Sequence, residues 1–137
     1  MAKSAAIAPS ATAAPDLIFV GTGVTGGTAA AKLLDKMIEA MGMKPEQCLR
    51  IETAPAALNP NALPKFVIAL GINSAKALLK TDKLFTELRG RSFEYQGTKL
   101  RVTFHPAELL ETPVLKREAW ADLQAVMQEL VLARKAP

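Results

Sequence analysis

The sequence predicts an α/β protein, a three-layer α/β/α sandwich around a central, mainly parallel sheet of about four strands. Three observations carry that expectation. Leu17-Ile18-Phe19-Val20 and Phe66-Val67-Ile68-Ala69-Leu70 are continuous apolar runs, the pattern of strands buried on both faces. The segments between strands carry apolar residues at helical spacing. Strand and helix alternate along the chain, and right-handed crossovers then put helices on both sides of the sheet.

Each element has a local reason. Pro15 and Gly21 bound the first strand. Ala29 to Met41 reads as a helix, with Leu33, Leu34, Met37, Ile38 and Met41 on one stripe and Gly42 placed to end it. Cys48-Leu49-Arg50-Ile51 is a short second strand. Thr53 to Pro64 carries three prolines and reads as a loop with at most one helical turn. Gly71 turns the third strand into a short helix, with Asn73 or Ser74 as N-cap and Ala77, Leu78 and Leu79 in its body. Ser92 to Tyr95 and Leu100 to Phe104 flank Gln96-Gly97, a turn signal. The last helix buries Trp120, Leu123, Met127 and Leu130, spaced three and four apart. Trp120 is thus expected in the core, where truncation to alanine costs ~3–5 kcal/mol, whereas His105→Ala is expected to cost little.

The chain of 137 residues suits one domain, expected over residues 16–132 between a disordered Ala/Ser/Thr/Pro-rich tail (1–15) and a short C-terminal tail (133–137). Net charge is +4, with basic residues spread along the sequence, which permits contact with nucleic acid without arguing for it. A single cysteine, Cys48, rules out an internal disulfide and an all-cysteine cluster, and reads as a buried apolar filler. With one cysteine and one histidine, no metal site and no cofactor are expected. No apolar run has the length of a membrane span, and the N-terminal tail lacks the apolar core of an export signal. A cytoplasmic protein without a membrane partner is expected.

Ligands of parallel sheets bind outside the C-terminal strand ends. Gly21 to Gly27, Thr53 to Asn59 and His105 to Leu110 should therefore share one rim, with Gly71 to Ser74 beside them. Gly21-Thr22-Gly23-Val24-Thr25-Gly26 fits G-x-G-x-x-G after a strand, a form that lets backbone N–H groups cradle a phosphate. Glu52 stands where a ribose-binding acid belongs, but farther from Gly26 than the usual ~20 residues. Gly21, Thr22, Gly23, Thr53, Asn73 and Ser74 are the candidate base or phosphate pocket.

Thr103-Phe104-His105-Pro106-Ala107-Glu108-Leu109-Leu110, followed by Pro113 to Leu123, resembles the C-terminal motif of the uracil-DNA glycosylase superfamily, especially its iron–sulfur bacterial and archaeal branch. Phe66 to Leu79 resembles the family's strand-loop-helix segment, Leu88-Arg89-Gly90-Arg91 its Leu-Arg-Gly segment, and Leu33 to Met37 with Gly42-Met43 its first long helix, in the same order. The resemblance implies that His105 touches an extracted uracil and that Ala107, Leu109 and Leu110 wedge into a duplex, although one of the two leucines suits a core anchor equally well. Arg89, Arg91, Lys116 and Arg117 would neutralise phosphates; as a bland alternative, the two arginines form a solvated turn.

The departures fall at the chemistry. Between the first strand and its helix the family carries a loop with acidic residues and a uracil-stacking aromatic; here no carboxylate lies between Asp16 and Asp35. Glu52-Thr53 stands in place of the asparagine that reads uracil, and the family's four cluster cysteines are absent. Base excision needs a pocket for the flipped base, donors for charge on O2 and help for water. The expectation is a catalytically degraded glycosylase-like domain serving DNA repair or metabolism as a DNA-binding or protein-interaction module, its partner being DNA, bound weakly and salt-dependently, or a protein. The alternatives are an active glycosylase with an altered pocket using His105 and, more distantly, nucleotide or phosphate binding through Gly21 to Gly26.

Overall fold

The computed structural model describes residues 16–53 and 63–135. The N-terminal tail and most of the proline-rich loop expected at Thr53 to Pro64 lie outside the described residues. In chain order the elements are β1 (Leu17–Val20), α1 (Ala29–Ala40), β2 (Cys48–Ile51), β3 (Phe66–Leu70), α2 (Ile72–Leu79), α3 (Phe85–Leu88), β4 (Ser92–Tyr95), β5 (Thr98–Thr103), α4 (Pro106–Glu111) and α5 (Lys116–Lys135). Short 3-10 turns at Pro45–Gln47 and Pro113–Leu115 lead into β2 and α5. Helix α5 runs through Lys135, into the segment expected as a C-terminal tail.

The sheet has five strands in the order β2-β1-β3-β5-β4, one more than expected. β2, β1, β3 and β5 are parallel, and β4 lies antiparallel to β5 at the edge. The added strand follows from Gln96-Gly97. Tyr95 pairs with Thr98, and the two residues between them have φ of 48° and 88°. Positive φ at both central positions gives the tight hairpin turn whose twist matches the flanking strands.

Alternate residues of the strands serve opposite faces. Leu17, Phe19, Phe66, Ile68 and Leu70 pack on Leu34 and Ile38 of α1 and on Leu123, Val126 and Leu130 of α5. Ile18, Val20, Val67, Ala69, Leu100 and Val102 pack on Ala75 and Leu78 of α2 and Leu88 of α3. Helices therefore cover both faces, the three-layer arrangement expected. Cys48 is buried in β2; burial first, then the nearby Asp16, pushes its thiol up to about 12, with Arg50 pulling the other way.

Three details differ from the expectation. α2 starts at Ile72 with Gly71 as N-cap, so Asn73 and Ser74 lie inside its first turn. Trp120 is half-buried, packed at the margin of the core, and the fully buried residues of α5 near it are Ala119 and Leu123. Met127 is likewise half-buried. An amphipathic stripe identifies the face a helix turns inward; it does not say how far the packing extends around each residue.

Ion pairs tie α5 to the sheet. The Glu129 carboxylate accepts from Arg101 Nε at 3.0 Å and Nη2 at 2.8 Å and from Lys99 Nζ at 3.3 Å. Partial burial works against ionisation of Glu129, but Arg101 and Lys99 outweigh it and hold the carboxyl below its ordinary value. A depressed folded-state pKa gives stability that is present above the unfolded value and is lost as pH falls through the folded one. Comparing wild type with Glu129→Gln by thermal melting should show wild type ahead by no more than about 1 kcal/mol at neutral pH. The gap should close as pH falls below 4.5, the ordinary value.

Candidate functional site

The C-terminal strand ends form a stitched rim. The Gly21 N–H donates to the Ile51 carbonyl at 3.0 Å, and the Gly71 N–H donates to the Thr103 carbonyl at 2.9 Å. These bonds extend the ladders β1–β2 and β3–β5 past the last paired residues. They bring the start of the glycine loop, the entry to α2 and the His105-Pro106 corner side by side, as the parallel topology predicts.

His105 is the N-cap of α4, and each of its polar groups has a partner. Nδ1 accepts from the Ala107 N–H at 2.9 Å, and the His105 N–H donates to Glu108 Oε1 at 3.0 Å. This is reciprocal capping, with Pro106 at the first helical position, where its missing N–H costs nothing. An Nδ1 that accepts leaves the proton on Nε2. Nε2–H then donates to the Thr22 carbonyl at 2.5 Å. The ring has no second proton to offer while these bonds hold.

Two glycines make room for this ring. A Cβ on Gly21 would meet Leu70 Cβ at 2.9 Å and His105 Cδ2 at 3.3 Å. A Cβ on Gly71 would meet His105 Cβ at 3.2 Å and Glu108 Oε1 at 3.4 Å, and Gly71 also has φ of +88°. Its glycine is required both for space and for backbone conformation.

The glycine loop binds groups of its own chain. Glu52 accepts from the Thr25 hydroxyl at 2.5 Å. That bond, first, and then hydrogen bonds from the Gly23 and Thr25 N–H groups hold the Glu52 carboxyl below its ordinary value. The N–H groups suited to an external anion thus face an internal carboxylate. Thr28 caps α1 through the Ala31 N–H at 3.0 Å and donates to the Gly23 carbonyl at 2.6 Å. From β2, Arg50 donates to the carbonyls of Val24 at 3.2 Å and Ala31 at 3.3 Å and pairs with Asp35. Neither Arg50 nor Thr28 stood out in the sequence, although an arginine inside a short apolar strand, and a threonine before an alanine run, are usable signals.

The remaining candidates divide. Arg89 turns inward: Nε and Nη2 donate to Asp122 at 3.0 Å each, Nη1 reaches Glu118 at 3.4 Å, and the guanidinium lies 4.6 Å from the Phe104 ring centre. Its carboxylate hydrogen bonds raise its pKa further. Asp122 also accepts from the Thr103 hydroxyl at 2.7 Å. Arg89 is thereby a clamp between α3, β5 and α5, and the phosphate contact expected of it would require breaking that clamp. Leu109 is 1% exposed and anchors α4, so it is not available as a wedge, whereas Leu110 is 43% exposed. Arg91, Ala107, Lys116 and Arg117 are exposed, as are Thr22, Thr53 and Asn73. Gly21 and Ser74 are buried and Gly23 is half-buried. Of the candidate pocket residues, Thr22 is hydrogen-bonded to His105 and Gly21 lies beside its ring.

No protein-family model matches the chain. Among the described residues, no group of three His, Cys, Asp or Glu side chains is placed to hold a metal ion. Nor is any described helix long and apolar enough to cross a membrane.

Gly21→Ala should destabilise the protein by about 1–3 kcal/mol, because the added methyl meets a buried leucine rather than a flexible tip. His105→Ala should cost about 1–2 kcal/mol through the lost cap, and His105→Asn less, since asparagine also caps. Urea denaturation of the three variants checks the order. Equal stability of His105→Ala and wild type would show that the ring does not hold the rim.

Proposed function

We propose that this chain is a glycosylase-like domain that no longer excises bases and contacts DNA through the α4–α5 corner. The observation that carries the first half is the state of His105. A catalytic imidazole must offer a donor to the oxygen on which charge develops, and the single Nε2 proton is committed to the Thr22 carbonyl. The Glu52 carboxylate, at the position of the family's uracil-reading asparagine, is committed to the Thr25 hydroxyl and loop N–H groups. Both groups hold the rim together instead.

The second half rests on what the corner exposes. Lys116 and Arg117 begin α5, and Leu110 of α4 and Val114 of the turn before α5 are apolar side chains at 43% and 76% exposure; a further exposed cation, Arg91, precedes β4. Cations can neutralise phosphates, and an exposed leucine can lean into a groove or against an unstacked base. Sequence preference is not expected, because none of these residues combines fixed donors with a rigid fit to base edges.

Fluorescence anisotropy with single- and double-stranded DNA across a salt series tests both halves when paired with a uracil-release assay. Three phosphate contacts predict a log–log salt slope of about −3, roughly −0.9 for each. Lys116→Ala with Arg117→Ala should remove about two-thirds of that slope. No uracil should be released. Release that disappears in His105→Asn would establish a working enzyme, and no affinity even at low salt would remove DNA as the partner.

A further inference from the structure

We propose that the groove between α1 and the α4–α5 corner is a docking site for an acidic peptide segment that inserts one large apolar side chain. The groove is a cavity of about 180 Å³ with Leu33, Met37, Leu109 and Trp120 among its apolar lining, and its only charged lining residues are Lys36 and Lys116. Among the described residues neither lysine has an ion-pair partner. The carboxylates nearest in sequence are engaged elsewhere, Asp35 with Arg50 and Glu118 with Arg89. An apolar slot between two free ammonium groups selects an occupant that is apolar at its centre and anionic on both sides.

Size decides between a small molecule and a peptide. Pockets for drug-sized ligands run to roughly 300–1,000 Å³, whereas a cavity of ~150 Å³ takes a single benzene ring. The groove therefore fits one anchoring side chain, the commonest device of peptide recognition in grooves. The half-exposed Trp120 supplies a flat aromatic wall. This chain is a poor source of the occupant. Residues 1–15 contain no acidic side chain, and a second copy brings a net charge of +4.

Trp120 is the only tryptophan, so its emission reports directly on the groove. The probe is a blocked peptide with one phenylalanine flanked by aspartates and glutamates. Saturable change in Trp120 emission is expected, weakened about ten-fold by Lys36→Glu and by replacing the peptide's phenylalanine with alanine. Ala40→Phe, at the exposed end of α1, should block the slot to the same degree. Both changes lie on the helix surface and avoid Lys116, which the DNA reading also uses. Should Lys36→Glu fail to fold by circular dichroism, Lys36→Gln replaces it with the same expected direction. Unchanged emission up to about 1 mM peptide, or equal binding of a peptide whose acids are replaced by amides, would overturn the proposal. So would octanoate binding where the peptide does not, which would make the occupant a small amphiphile. Loss of DNA affinity in Ala40→Phe would assign the groove to the nucleic-acid surface.

Discussion

The rim of this protein depends on one imidazole fitted between two glycines. His105 reaches across the C-terminal ends of the strands beside Gly21 and Gly71, where an added methyl would crowd it at 3.3 and 3.2 Å. Its Nε2 holds the β1 loop through Thr22, and its Nδ1 starts α4 through Ala107. Helix α4 in turn places Leu109 in a small cluster with Phe104 and Ala119, and so sets the base of α5. A single side chain therefore couples three connections that would otherwise be independent loops. Gly71 has to be glycine for two separate reasons, and it is the N-cap of α2 where Asn73 or Ser74 was expected.

The same economy governs charge. Asp35 neutralises Arg50 under the glycine loop, Asp122 and Glu118 hold Arg89, Glu129 holds Arg101 and Lys99, and Glu52 sits on loop N–H groups. These pairs cross between layers instead of running along one helix. A cross-layer pair with partial burial fixes the relative position of two elements, an effect that isolated surface pairs rarely have. Lys116 and Arg117, exposed at the start of α5, take part in none of these pairs.

The layered architecture was legible because strand and helix leave different periods in the sequence. Continuous apolar runs at Leu17–Val20 and Phe66–Leu70 have few other uses than strands buried on both faces. Gln96-Gly97 was legible as a turn, yet its consequence, a fifth antiparallel strand, depends on where Ser92–Tyr95 finds a partner, and that is tertiary information. The rim was legible as a place, since strand direction alone determines which loops meet. Its chemistry was not. Whether Glu52 serves a ligand or the loop, and whether Arg89 faces phosphate or Asp122, depends on partners 27 and 33 residues away in sequence. Leu109 and Leu110 show the same limit at its smallest scale. Adjacent and identical, they lie at 1% and 43% exposure because one turn of α4 faces Phe104 and the next residue does not.

A histidine used this way sets a thermodynamic condition on any chemistry at the rim. For Nε2 to serve a bound base, the 2.5 Å bond to Thr22 has to be exchanged for a bond to substrate, and the Thr22 carbonyl has to find another donor. The exchange of one hydrogen bond for another is close to neutral only if both carbonyls end satisfied, and an orphaned acceptor costs about 1–3 kcal/mol when water is kept out. Thr22 is exposed, so water can satisfy its carbonyl once the ring lets go. The larger obstacle is geometric. The ring is also held by the Ala107 N–H on Nδ1 and packed against Gly21 and Gly71, so swinging it outward gives up the side-chain cap of α4 as well as the bond to Thr22. Preorganised donors favour catalysis because they point at the substrate before it arrives. Here the same preorganisation points at the protein's own backbone, and the rigidity that would make a good catalyst makes a good joint.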